Sequence, residues 1–271
     1  MAKRFLPALF VVAVIAGAAW LATTPTEGQT QAFRPPRTAD GKPDLNGIWQ
    51  AMNSANWDIQ DHAAKQGPIV ALGAAFSVPA GQGIVVGNDI PYNSAALAKK
   101  NQNGADWVKL DPEVKCYMPG VPRANYQPYP FQIVQTPTHV LMAYEFASAS
   151  RILYVNGKEE APVDSWMGHS NARWDGDTFV VDVTGFNDTT WFDRAGNHHS
   201  EALHVVERYT LTDRNTINYE ATLEDPKTFT RAWKMNFPLY RRQEKNAQLL
   251  EYKCVEFVEE LMYGHLRKKS N

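Results

Sequence analysis

The sequence predicts a mainly β fold: an antiparallel barrel or strongly curved sheet of about eight strands, with a loop-rich N-terminal half and a C-terminal amphipathic helix. From Phe131 on, β-branched and aromatic runs alternate with turn signals such as Asn156-Gly157. No helical pattern alternates with these runs, which argues against a doubly wound α/β fold. Before Phe131, glycines and prolines interrupt the chain repeatedly, as is typical of loops.

Each predicted strand is an apolar run bounded by turn residues. The eight runs are residues 131–135, 139–146, 151–155, 178–183, 202–211, 216–223, 229–237 and 247–254. Residues 94–101 are the helical candidate of the N-terminal half, with Asn93 or Ser94 as the N-cap. Residues 255–268 carry apolar side chains at helical spacing, which predicts the C-terminal amphipathic helix.

Residues 1–32 have the layout of a signal peptide or of an N-terminal membrane anchor with a polar tether. Lys3 and Arg4 precede residues 5–22, which carry no charge. Either alternative exports the rest of the chain. We therefore expect a periplasmic or secreted protein, anchored to the inner membrane by residues 5–22 if they are retained, with residues 33–271 as a single β-rich domain.

Charge and motifs exclude several classes of partner. The formal net charge is −2 and the one basic cluster is the short tail at 267–269, so nucleic acid is an unexpected partner. Contact with a membrane is expected only through the N-terminal segment. The sequence contains neither a haem-attachment motif nor a dinucleotide fingerprint, and we predict no cofactor.

The chain has two cysteines, Cys116 and Cys254. Because disulfides persist outside the cytoplasm, we predict that they pair. Such a bridge would contribute about 4 to 5 kcal/mol in the chain-entropy model. The alternative is two buried free thiols.

Residues 166–208 concentrate four of the seven histidines, three tryptophans and five aspartates. Aromatic walls combined with titratable groups are what a small-molecule pocket requires. Residues 112–130 contain five prolines and form what we call the proline-rich loop. We expect ligand contacts from four tryptophans, and from an arginine and a tyrosine of this loop. These predicted ligand-binding residues are Trp166, Trp174, Trp191, Trp233, Arg123 and Tyr126.

Histidine paired with a carboxylate suits general acid–base chemistry near neutral pH. The candidate catalytic residues are His169, His199, His204, Asp182, Asp188 and Asp193. On a strand over 202–211, His204 and Glu207 face opposite sides, which weakens a metal triad that uses both. Asp182 is functional if its face points into a barrel and an ordinary solvated residue if it points outward.

Five stretches of the sequence resemble a known group of proteins. Residues 40–49 (DGKPDLNGIW), 116–123 (CYMPGVPR), 130–135 (PFQIVQ), 174–186 (WDGDTFVVDVTGF) and 199–208 (HSEALHVVER) resemble a large family of uncharacterised exported bacterial proteins. The resemblance covers nearly all of the chain after residue 32. It implies bacterial origin and export, and it assigns no catalytic residue because the family has no established activity.

Three functional hypotheses follow. The first is an exported β-barrel-like protein that binds a small, partly apolar organic molecule and uses histidine and aspartate for hydrolase, lyase or isomerase chemistry. The second is a non-catalytic ligand-binding or envelope-structural protein. The third is a metal-binding protein that uses the His/Asp cluster, although no dense metal-ligand spacing is present.

Overall fold

The computed structural model describes residues 33–252 except 68–69, 71–72 and 75–76. From Pro35 on, these residues belong to one compact unit. Within them, nine strands form a closed barrel in chain order, and the last strand pairs with the first. The strands are β1 Gly47–Ala51, β2 Phe131–Gln135, β3 His139–Tyr144, β4 Ser150–Val155, β5 His169–Asp175, β6 Thr178–Thr184, β7 His204–Asp213, β8 Thr216–Glu224 and β9 Trp233–Arg241.

Neighbouring strands are antiparallel with one exception, the parallel pair β4 and β5. Since parallel strands begin at the same end, residues 156–168 must carry the chain from one end of the barrel to the other. We call the end with the short turns 136–138, 176–177 and 214–215 the hairpin end. The opposite end, which we call the loop end, receives residues 52–130, 185–203 and 225–232.

The turn between β5 and β6 shows how local sequence sets the hairpin end. Gly176 lies between Asp175 and Asp177 with φ +58°, a conformation that glycine adopts without penalty. The pairing of Asp175 with Thr178 makes this connection a tight hairpin.

Inward-facing side chains alternate with outward ones along each long strand, as the period of two requires. On β8 the inward set is Ile217, Tyr219, Ala221 and Leu223, and each is 0% exposed. Burial of one Ile or Leu side chain contributes about 1.5 to 3 kcal/mol. The inner layer is therefore a packed core that holds the barrel closed.

Among the described residues, two α-helices lie at the loop end. Helix α1, Ser94–Ala105, begins at Asn93, whose side chain accepts a hydrogen bond from the Ala96 amide at 2.9 Å. It confirms the predicted helix at 94–101 and runs one turn further. Helix α2 is the single turn Trp107–Leu110. In the part of the chain that the structure describes, no helix is both long enough and apolar enough to cross a membrane.

The mainly β barrel predicted from the sequence is confirmed, with three differences. Strands β1 and β5 were not predicted, and the candidate catalytic residue His169 begins β5. The strand predicted at 247–254 is wrong for residues 247–252, which form no strand. The leader 1–32, Cys254 and the predicted helix 255–268 lie outside the described residues, so the disulfide remains a prediction.

Candidate functional site

The middle of the barrel contains a buried ion pair. Arg151 on β4 and Glu207 on β7 meet across the interior, with 2.7 Å between Nη2 and Oε2 and side chains 1% and 0% exposed. Glu207 Oε1 also accepts hydrogen bonds from Asn125 and from the hydroxyls of Tyr209 and Tyr219, each at 2.9 Å. The carboxylate is thereby surrounded by donors, which is how a buried charge is stabilised.

Further donors and acceptors extend this network. Arg151 Nη2 donates to Ser170 Oγ at 2.9 Å, and the Tyr144 hydroxyl donates to Asn125 Oδ1 at 2.9 Å. Burial raises the pKa of Tyr144 to about 12, so its hydroxyl keeps its proton and its donor role. The network fills this part of the interior with protein side chains.

His199 is the first of the predicted catalytic residues at the loop end. It is 2% exposed, with Nδ1 at 2.8 Å from the Ser200 carbonyl oxygen and Nε2 at 2.6 Å from Thr190 Oγ1. Because a carbonyl oxygen can only accept, Nδ1 carries the proton and Nε2 accepts from the hydroxyl. Burial lowers the pKa of His199, which favours this neutral form. Both ring nitrogens are occupied, so the geometry is that of a structural histidine.

Asp193 ties two loop-end segments together. Its Oδ2 accepts from the Ile59 amide at 2.9 Å and from Asn197 Nδ2 at 2.6 Å, while Oδ1 accepts from the Asn197 amide at 3.1 Å. Burial, and then the charge of Asp58, raise the pKa of Asp193 to about 7. Asp188 is exposed, and its charge acts on His199 only through space.

His198 belongs to the histidine cluster from which the metal hypothesis draws its ligands. Its ring stacks on Tyr92, with centroids 5.8 Å apart, and its amide donates to the Tyr92 hydroxyl at 3.2 Å. Nδ1 is buried with no hydrogen-bond partner within the described chain. Burial, followed by the charge of Lys99, lowers the pKa of His198 to about 4.

His204 and Asp182 lie on the outer wall, with 3.2 Å between Nε2 and Oδ2 and side chains 35% and 42% exposed. The expectation that His204 and Glu207 face apart is confirmed, since Glu207 points into the barrel. Asp182 points outward, and its side chain is solvated rather than buried in the barrel. His169 also faces outward, with its ring stacked on Tyr154 at 5.3 Å.

The four predicted tryptophans do not share one location. Trp174 packs on Phe179 at the hairpin end, whereas Trp233 begins β9 at the loop end and packs against Phe192. Trp191 is buried in the 185–203 loop, and Trp166 lies against Tyr117.

Arg123 and Tyr126 are each 1% exposed rather than available to a ligand. The Arg123 guanidinium donates two parallel hydrogen bonds of 2.8 Å to the Asp111 carboxylate and a third to Asn56. The Tyr126 hydroxyl donates to the Phe192 carbonyl at 2.8 Å. Arg123 therefore ties together parts of the 52–130 segment, and Tyr126 ties this segment to the 185–203 loop.

The same ion network positions Arg194. Glu113 accepts from Arg194 Nε at 2.8 Å and Nη2 at 2.9 Å, and it lies 3.5 Å from Arg123 Nη2. Burial raises the pKa of Glu113, but the charges of Arg194 and Arg123 outweigh this effect and lower it, so Glu113 is ionised. The Arg194 guanidinium is held over the rings of Trp57 and Trp107, at 4.3 and 5.2 Å from their centroids.

Beside these rings is a solvent-reached cavity of about 310 Å³. The two indoles meet edge to face, with centroids 5.8 Å apart and an angle of 82°. Charged side chains complete the wall. We call this cavity the cap pocket and define it by Trp57, Asp58, Lys65, Lys100, Trp107 and Arg194.

Close backbone contact seats α1 against this cavity. A Cβ on Gly104 would lie 2.5 Å from the Ala195 carbonyl oxygen, and a Cβ on Gly196 would lie 2.4 Å from the Lys100 carbonyl oxygen. Gly196 also has φ +90°. Only glycine permits this approach, which fixes Lys100 at the rim.

Two further depressions lie on the outer wall. One of about 370 Å³ is lined by polar residues, Asp182 and Arg173 among them, and another of about 220 Å³ surrounds Tyr154 and His169. Among the described residues, no three His, Cys, Asp or Glu side chains are arranged to hold a metal ion. The metal hypothesis gains no support from this part of the chain.

Comparison of the chain with protein-family models, curated proteins and solved structures gives no match in any of the three. The family resemblance of the sequence therefore stays a prediction. The cap pocket was missed because Trp57, Lys100 and Arg194 are far apart in sequence. The one available signal was the presence of tryptophans in an otherwise irregular, loop-rich region.

Proposed function

We propose that this barrel binds a small, partly apolar organic molecule in the cap pocket. The observation that carries the proposal is the pair of tryptophans, Trp57 and Trp107, beside a cavity of about 310 Å³. This volume lies in the range of small-molecule sites, which are typically apolar with a few polar groups for orientation. Trp57 is partly exposed and lines the cavity.

Binding is better supported than catalysis at the loop end. Both nitrogens of His199 and both oxygens of Asp193 are engaged in hydrogen bonds to the protein. A general base must reach the proton that it removes, and these two groups face protein rather than the cap pocket. The function that we propose is thus non-catalytic ligand binding, the second hypothesis drawn from the sequence.

One observation favours catalysis as a second candidate. His204 and Asp182 form a solvent-reached pair, and Asp182 lines the outer depression of about 370 Å³. A histidine oriented by a carboxylate is the arrangement of a general base. The depression lacks the aromatic wall that supports the cap pocket.

Residues 1–32 alone support the proposed location, outside the cytoplasm. No described residue bears on export.

A fragment screen tests the binding function. The purified full-length protein is screened against small aromatic and aliphatic compounds by ligand-observed NMR. We expect hits whose affinity falls at least about tenfold in Trp57→Leu, since the indole forms one wall, while Trp174→Leu at the hairpin end retains them. Circular dichroism confirms that both variants fold. Hits that survive Trp57→Leu, or a screen without hits, would overturn the proposal.

A further inference from the structure

We infer that the molecule bound in the cap pocket is an organic anion, with a carboxylate or similar group attached to a flat apolar part. This inference rests on the proposed function and adds the chemical class of the ligand. It is carried by the charges that line the pocket. Lys65, Lys100 and Arg194 contribute three positive charges against the single negative charge of Asp58.

These charges are not equally available to a ligand. Arg194 already forms a two-point pair with the Glu113 carboxylate, at 2.8 and 2.9 Å, so its charge is balanced. Its guanidinium instead forms a flat surface over the Trp57 ring. Arg194 therefore shapes the pocket more than it attracts an anion.

The two lysines differ from Arg194 in this respect. In the portion of the chain that the structure describes, the lysines that form ion pairs are Lys109, Lys227 and Lys234. Lys65 and Lys100 are not among them, although both line the cavity. An ammonium group with no carboxylate beside it is ready to bind an anionic group.

Asp58 offsets only one of the two lysine charges, so the pocket keeps one net positive charge. Asp58 Oδ1 accepts a hydrogen bond from the Gln60 amide at 2.9 Å, which closes a local turn. The tryptophans then select the rest of the ligand. A flat ring can pack against indole edges and faces, whereas a small hydrated anion such as acetate has only one methyl group to bury.

Titration calorimetry with one matched pair of probes tests the inference. The probes are 2-naphthoate and 2-naphthamide, which share the ring system and differ in charge. On the full-length protein we expect naphthoate to bind about tenfold more tightly at low ionic strength, as two partly exposed cation–anion contacts would provide. The difference should shrink as salt is added.

Variants of neighbouring lysines locate the effect. Lys100→Gln should weaken naphthoate about fivefold and leave naphthamide unchanged, and Lys100→Arg should retain the acid preference. Lys99→Gln is the matched control, because Lys99 is adjacent on α1 and does not line the pocket.

The outcomes separate the two proposals. Equal affinities for acid and amide, or equal losses in Lys100→Gln and Lys99→Gln, would overturn the anion inference while binding itself stands. If neither probe binds, or if Trp57→Leu affects neither, the proposed function fails as well.

Discussion

Breaking the Arg151–Glu207 pair should destabilise the barrel far more than breaking a surface pair. In Glu207→Gln the side chain keeps its shape and its contacts with Tyr209 and Tyr219, but the negative charge is lost. If the amide oxygen takes the Oε1 position, Arg151 is a buried cation with three neutral acceptors: this oxygen at 3.3 Å, Ser170 Oγ at 2.9 Å and the Tyr144 hydroxyl at 3.5 Å. None of these partners is charged, and Nη2 faces the new amide nitrogen.

The size of the stability loss in Glu207→Gln follows from the burial of the ion pair. Both side chains of the pair are at most 1% exposed, and Arg151 Nη1 and Nη2 lie 3.3 and 2.7 Å from the carboxylate. Removing one partner of such a pair costs about 3 to 5 kcal/mol. Whole domains are stable by about 5 to 15 kcal/mol, so this loss is a large fraction of the total.

Urea unfolding followed by tryptophan fluorescence measures the free energy of unfolding. The control is Lys234→Ala, which breaks the outer-wall pair Lys234–Glu220, with side chains 49% and 29% exposed and a separation of 3.1 Å. We expect a change of about 0 to 1 kcal/mol there.

A double variant, Arg151→Met with Glu207→Gln, removes both charges of the pair, while the amide oxygen can still accept from Asn125, Tyr209 and Tyr219. It leaves no uncompensated charge, so we expect a smaller loss of stability than in Glu207→Gln. The reasoning is refuted if Glu207→Gln costs no more than Lys234→Ala, because the interior would then not behave as a low-dielectric site.

Three other predictions concern the loop end and the outer wall. Burial lowers the pKa of His198 to about 4 from an ordinary value of 6.5, so between these pH values the unfolded chain binds a proton that the folded chain does not. The free energy of unfolding should therefore decrease as pH falls from 6.5 towards 4. Urea unfolding at several pH values should show a smaller decrease in His198→Gln, and an equal decrease in both proteins would contradict the prediction. Gly196→Ala places a Cβ 2.4 Å from backbone atoms and should lower the free energy of unfolding by at least about 1 to 3 kcal/mol. Gly176→Ala is the control, because its Cβ would meet no atom within 4 Å and only the positive φ is strained. Thermal unfolding should show a smaller effect for this control. Asp182→Asn should change stability by less than about 1 kcal/mol, because its pair with His204 is substantially exposed, and calorimetry should find the naphthoate affinity unchanged.

Much of the fold was predictable because its strands carry a clear period of two. On β8, isoleucine, tyrosine, alanine and leucine alternate with polar residues, and this pattern has one physical interpretation. Strand β5 lacks the signal, since its inward positions include Ser170 and Ala172 while its outward ones include Asn171. Strand β1 has only five residues and follows turn-rich sequence.

The candidate site was less predictable, because it depends on contacts between distant segments. The sequence identified residues 166–208 as rich in chemistry, yet His199 and Asp193 are occupied by local hydrogen bonds that composition does not reveal. The alternation of side chains along β7 puts Glu207 on the same strand face as Val205 and Tyr209. That placement was a usable signal of a buried charge, but its partner Arg151 could not be identified without the barrel closure.

The pairing of β1 with β9 has a consequence for the order in which the fold can be completed. Trp49 lies opposite Arg241, so the seam of the barrel joins strands near the two ends of the described chain. Until β9 is available, the sheet has two free edges whose amide and carbonyl groups can pair with other chains. Contacts so distant in sequence also slow folding. A chain truncated before Trp233 would therefore be prone to aggregate through exposed strand edges.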